Sequence, residues 1–205
     1  MNLPNQLTLG RLVLTVIFVI VTASPQGWGK GWAYTAGMGI FGVASITDYL
    51  DGYLARKYQL ITAFGKLMDP LADKILLCAA FVLLTETSLP GSSSVVLPGW
   101  ITVTVLAREF LVTGLRLVAL AQGYVMAADV LGKHKTVWQI ATASYFLVFL
   151  ACQEPGMAWF QPFFSLPWCG PRELGVFLMV MTLATTIISG WRYFWNNRAL
   201  VLREM

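Results

Sequence analysis

The chain has 205 residues, of which 57% are hydrophobic and only 12% charged, with a mean hydropathy of +0.68 and a formal net charge of +4. A soluble domain carries about 25% charged residues, so the composition excludes an ordinary soluble protein, and no nucleic-acid partner is expected. The three cysteines, Cys78, Cys152 and Cys169, form no CxxC pair, which argues against a zinc site or a disulfide framework.

Six apolar segments follow in chain order: Leu7–Ala23, Trp32–Tyr49, Leu71–Leu84, Leu97–Ala121, Val137–Ala151 and Leu174–Trp195. Several fall near or below the ~17–25 residues of a clean membrane span. The second and third reach that length only if their helices run on into the polar stretch between them. Pro4 and the Asn and Thr residues before the first segment suggest a short interfacial N-terminal helix, or a capped start to the first span. The fold expected is an all-α integral membrane protein of six transmembrane helices forming one domain over residues 1–205. A cleaved leader ending at Thr22-Ala23-Ser24 is disfavoured, because it would leave an odd number of spans.

Charge gives the orientation. Arg56, Lys57, Lys66, Lys133, Lys135, Arg192, Arg198 and Arg203 fall on one side, while Lys30 and Arg172 are the basic residues of the opposite loops. By the positive-inside rule both termini are cytoplasmic. Trp28, Trp32, Trp100, Trp159 and Trp168 collect on the other side, where interfacial anchors belong. The location expected is the cytoplasmic cell membrane, multi-pass, with the polar chemistry facing the cytoplasm.

That chemistry centres on Asp48-x2-Asp51-Gly52-x2-Ala55-Arg56-x8-Gly65-x3-Asp69-x3-Asp73. On a continuous helix Asp48, Asp51, Gly52, Ala55 and Arg56 share one broad face, and Asp69 and Asp73 lie one turn apart on the next. Ionised carboxylates at a membrane are costly unless something positive sits among them. Oxygen-only ligation suits two divalent cations, Mg²⁺ or Mn²⁺, rather than zinc. Such a pair can clamp a phosphoryl centre. Gly52 and Ala55 leave room for a flat or bulky ligand, and Arg56 matches a phosphate. Pro70 fits either the first turn of a helix capped by Asp69 or a kink in a helix starting near Ala63. The bland alternative is a set of solvated loop carboxylates pairing with Arg56, Lys57, Lys66 and Lys74.

The eight specified positions would coincide by chance on the order of 10⁻¹⁰ per starting point at ordinary residue frequencies. They resemble, without departure, the signature of the CDP-alcohol phosphotransferase family. Its members are six-helix membrane enzymes, usually homodimers, that move a phosphatidyl or similar group from a CDP-linked donor to an alcohol and release CMP. The resemblance implies that Asp48, Asp51, Asp69 and Asp73 bind two metal ions, and that Asp73 is also the catalytic base. It implies that Asp48, Gly52, Ala55 and Arg56 line the CDP site, with CDP-diacylglycerol as donor and a homodimer as the assembly. Thr8 and Arg11 are expected to assist at the CDP or lipid phosphates, although Arg11 also suits a plain interfacial anchor.

Outside the signature, Arg108 and Glu109 interrupt the fourth segment, and an intramembrane Arg needs a cavity or a partner. Glu109 and Arg116 are seven apart and could pair, leaving Arg108 for a ligand; a packing bridge from Glu109 to Arg108 or Arg116 is the plainer alternative. Lys133 and Lys135 flank His134, itself read as a polar loop residue, at the start of the fifth segment. Arg108, Arg116, Lys133 and Lys135 together suggest a second anionic pocket, for an acceptor with its own phosphate. NLPNQLTLGR, AREFLVTGLR and GKHKT are similar to segments of the family branch whose acceptor is sn-glycerol 3-phosphate. Inositol phosphate or phosphatidylglycerol as acceptor, or a metal-ion transporter, are the alternatives.

Overall fold

The computed structural model describes residues 3–23, 31–58, 63–121 and 130–198, with the backbone alone for residues 3–5, 7, 48–58, 63–73, 120–121, 130–131 and 133. Among the described residues the chain is helical: α1 Leu3–Ala23, α2 Ala33–Tyr58, α3 Ala63–Glu86, α4 Gly99–Ala121, α5 Val130–Ala151 and α6 Val176–Asn196. An isolated antiparallel bridge joins Ser88 and Val95 in the α3–α4 turn. A 3₁₀ segment, Ala158–Ser165, and a π turn, Pro171–Gly175, carry the chain from α5 to α6.

The apolar segments two and three are extended as their length demanded, α2 reaching Tyr58 and α3 starting at Ala63. Asp48, Asp51, Gly52, Ala55 and Arg56 are thus on α2, and Gly65, Asp69 and Asp73 on α3. Pro70 lies inside α3, which corrects the alternative in which Asp69 caps the helix start. The separate interfacial N-terminal helix is also corrected: residues 3–8 are the first turns of α1, with Pro4 in the opening turn, where its missing N–H is no loss.

On α1 and α6 the small polar residues face inward and the outer face is apolar. α1 buries Thr8, Arg11, Thr15, Phe18 and Thr22, spaced three or four apart, and exposes Val13, Val16, Ile17 and Ile20. α6 buries Thr182, Thr186 and Ser189 and exposes Val180, Ile187, Ile188 and Trp191. In water this arrangement would leave a large apolar patch uncovered. In lipid it is the stable one, since the outer face meets hydrocarbon and small polar residues knit the helices together. Of the described helices, the stretch Pro171–Asn196 is by itself long and apolar enough to cross a membrane; Thr8–Ala23 and Ala33–Thr47 are shorter apolar stretches.

α1 packs on α2 and α3, α5 on α2 and α6, and α4 on α3 and α6. Phe18, Phe41, Phe81, Leu84, Leu97, Phe146 and Leu147 belong to the common core. Close approach of α1 and α2 depends on Gly37, where a Cβ would stand 2.3 Å from Thr22 Cγ2.

At the end of the bundle opposite the aspartates, Glu154 reaches back to the start of α2. Its Oε1 accepts from the Tyr34 N–H at 2.8 Å, and its Oε2 from the Thr35 N–H at 2.8 Å and the Thr35 hydroxyl at 2.7 Å. A carboxylate there satisfies two orphan amides and meets the positive end of the helix dipole. This contact fixes the far end of the helix that carries Asp48 and Asp51.

Candidate functional site at the junction of α3, α4 and α5

The carboxylate stretch spans the end of α2 and the start of α3, two helices that pack together. The side chains of Asp48, Asp51, Gly52, Ala55, Arg56, Asp69 and Asp73 lie outside the described residues. Among the described residues no cluster of three or more acidic, Cys or His groups could hold a metal. The donor chemistry of the four aspartates, all hard oxygen ligands, fits Mg²⁺ or Mn²⁺.

Beside this stretch is a cavity of about 460 Å³ between α3, α4 and α5. Its cations are Lys74 from α3, Arg108 and Arg116 from α4, and Lys135 from α5. Three of the four expected acceptor-phosphate residues are therefore brought together. The Lys133 side chain lies outside the described residues. Lys74 is the addition: it directly follows Asp73 in α3, so the cavity adjoins the carboxylate stretch along one helix. Its Nζ donates to the Thr113 hydroxyl, which in turn donates to the Glu109 carbonyl at 2.6 Å. A helix places residues 109 and 113 one above the other, so α4 presents this pair to α3.

Among the described residues Glu109 is the anion of the site, and it is 6% exposed. The expected pairing with Arg116 is not what the structure shows. Glu109 Oε1 forms an ion pair with Lys135 Nζ, lies 3.6 Å from Arg108 Nη1 and accepts from Gln139 Nε2 at 3.4 Å. The reason is reach: Lys135 and Gln139 are one turn apart on the face of α5 turned to Glu109, whereas Arg116 lies two turns along α4 from Glu109. Arg116 instead donates from Nε to Tyr193 Oη at 3.1 Å, with its guanidinium 5.3 Å from the centre of that ring. Nor is Arg108 left free of Glu109. Its side chain runs past Gly190 of α6, where a Cβ would meet Arg108 Cγ at 3.1 Å.

Among the described residues the lining of the cavity is thus net positive, with Glu109 partly neutralising Lys135 and Arg108. An arrangement of this kind is able to hold a dianionic group through charge-assisted hydrogen bonds. His134 is exposed on α5, not in a loop. Thr8 and Arg11 are both 1% exposed on the packed face of α1. Arg11 borders a second cavity of about 90 Å³, separated from the larger one by Leu77, Thr136 and Ile140.

Sequence reasoning missed Lys74 and Gln139. In the sequence Lys74 stands only as a pairing partner for solvated carboxylates. Gln139 carried a usable signal, as an amide side chain four positions after Lys135 on the same helix face.

Residues 1–188 match the family model of CDP-alcohol phosphatidyltransferases. The chain is 40% identical over 204 residues to the CDP-diacylglycerol–glycerol-3-phosphate 3-phosphatidyltransferase of Bacillus subtilis, covering 96% of this chain and 95% of that one. Proteins of the same name from Rickettsia typhi and Escherichia coli K12 are 33% and 38% identical, covering 94% and 71% of this chain and 95% and 76% of theirs.

Proposed function

The chain belongs to the CDP-alcohol phosphatidyltransferase family, and we propose that it transfers the phosphatidyl group of CDP-diacylglycerol to sn-glycerol 3-phosphate, releasing CMP and forming phosphatidylglycerol phosphate. The relatives' shared name supports donor and acceptor. The observation that carries the reading for this chain is the cationic cavity of Lys74, Arg108, Arg116 and Lys135, opening one residue from Asp73. Choline, ethanolamine or serine would have no use for it. A phosphorylated alcohol does.

In this reading α1–α6 are six membrane spans of one domain, and both termini and the aspartates face the cytoplasm. The location is the cytoplasmic membrane and the assembly a homodimer. The apolar outer faces of the helices, with small polar residues of α1 and α6 turned inward, support the membrane placement. Asp48, Asp51, Asp69 and Asp73 would hold two Mg²⁺ or Mn²⁺ ions, which supply charge stabilisation at a phosphoryl centre. Gly52 and Ala55 leave space for the cytidine, Arg56 meets a donor phosphate and Thr8 contributes at the CDP site.

The acceptor phosphate sits on Arg108, Arg116, Lys135 and Lys74, with Lys133 assigned to the same role from the sequence alone. That fixes the glycerol with its primary hydroxyl toward Asp73. Asp73 takes the proton of this hydroxyl as its oxygen attacks the phosphorus bearing diacylglycerol. The bond from that phosphorus to the CMP oxygen breaks, and CMP departs with the electron pair. Holding both reactants in line contributes much of the rate.

The test is a substitution series in purified protein with labelled CDP-diacylglycerol. Asp69→Asn and Asp73→Asn abolish CMP release, with helix content unchanged by circular dichroism. Full activity in either would refute the assignment of the aspartates.

A further inference from the structure

Gln139 lies at the wall of the cavity, 0% exposed, four residues along α5 from Lys135. Its Nε2 donates to Glu109 Oε1 and to Thr186 Oγ1, each at 3.4 Å. Turning the amide over would press its oxygen against a carboxylate that only accepts, so Glu109 sets which end points where. The consequence falls on the other end. Among the described residues, Gln139 Oε1 is the buried side-chain oxygen that receives no hydrogen bond. An unpaired buried acceptor is costly and is completed by an ordered water or by a bound group.

The cations of this cavity offer donors, which suit phosphate oxygens. A glycerol phosphate also carries two hydroxyls. One is consumed in the reaction at Asp73. The other, on the middle carbon, is a donor in need of an acceptor.

We propose that Gln139 Oε1 accepts the hydrogen bond of the acceptor's secondary hydroxyl, making Gln139 a specificity-determining residue that separates glycerol 3-phosphate from phosphorylated alcohols lacking that group. The assignment rests on the reaction proposed above and names the feature of the acceptor that the site reads. Glu109 and Thr186 act as positioning residues for the amide. A polar site left unfilled by a substrate lacking its partner group discriminates strongly, because the loss includes the stranded buried group.

The experiment compares sn-glycerol 3-phosphate with 3-hydroxypropyl phosphate, which keeps the phosphate and primary hydroxyl and lacks only the secondary one. The wild-type protein prefers glycerol 3-phosphate by at least about tenfold in kcat/KM. In Gln139→Met, of similar volume, the preference collapses to less than about threefold, because only the natural acceptor loses a contact. A general structural defect would instead lower both acceptors together and keep the ratio. Equal use of the two acceptors by the wild type overturns the proposal without recourse to any variant, as does an unchanged ratio in Gln139→Met. Failure of the wild type to use glycerol 3-phosphate at all is a different result: it refutes the reaction, and the role of Gln139 with it.

Discussion

Glu109 of α4 and Lys135 of α5 form a buried ion pair at the wall of the cationic cavity, at 6% and 5% exposure. Without Glu109, Lys135 of α5 would face only the cations Arg108 of α4 and Lys74 of α3 across the cavity. Removing one partner of such a pair leaves a buried charge uncompensated, at a cost of about 3–5 kcal/mol. Glu109→Gln and Lys135→Met each lower the thermal midpoint in detergent accordingly. The double variant loses less than the sum of the two, and a double-mutant cycle by thermal unfolding measures the difference. Strict additivity would mean that the two residues do not interact.

Binding of the acceptor draws on the cations. A hydrogen bond to a charged group contributes about 1.5–3 kcal/mol, and each 1.4 kcal/mol is tenfold in affinity. Lys74→Met and Arg116→Met therefore raise KM for glycerol 3-phosphate by roughly 10- to 100-fold, while KM for CDP-diacylglycerol moves little. Steady-state kinetics with each substrate varied in turn separates the two. An equal rise for both would place these residues at the donor.

The start of α2 is held by a residue distant in sequence. Glu154 accepts from the Tyr34 and Thr35 amides and from the Thr35 hydroxyl. Loss of a cap costs about 0.5–2 kcal/mol. Glu154→Ala destabilises the protein by that amount, read as a lower thermal midpoint, and activity well below the midpoint is retained, because the contact is at the end of the bundle away from the aspartates. Loss of activity without loss of stability would contradict the assignment.

Gly37 sets the spacing of α1 and α2. A Cβ at this position would overlap the Thr22 methyl at 2.3 Å, beside the Phe18 ring. Overpacking of this kind costs about 1–3 kcal/mol, so Gly37→Ala is destabilised by that much in a denaturation series. Gly39, whose Cβ would meet nothing within 4 Å, serves as the control and tolerates Ala.

Elements set by local pattern were legible in the sequence. The second and third apolar segments were too short to stand alone, and α2 and α3 do run into the aspartate stretch, to Tyr58 and from Ala63. The clustering of Arg108, Arg116 and Lys135 was also legible, because an intramembrane cation demands a cavity or a partner. Pairing within the cluster was not. Whether Glu109 meets Arg116 on its own helix or Lys135 on another depends on the rotation of α4 against α5, which no spacing along one helix encodes. Lys74 was hidden by the ordinary look of a charge beside an aspartate, and the Glu154 cap by the 120 residues between Tyr34 and its partner. The aspartates were read from spacing, and their side chains lie outside the described residues.

The most direct test of the account is an acceptor panel: labelled CDP-diacylglycerol and Mg²⁺ or Mn²⁺ with glycerol 3-phosphate, inositol phosphate, phosphatidylglycerol or serine, reading CMP release and lipid product together. The account predicts stoichiometric CMP and phosphatidylglycerol phosphate with glycerol 3-phosphate, and little product from the others. Turnover confined to inositol phosphate or another acceptor would contradict it.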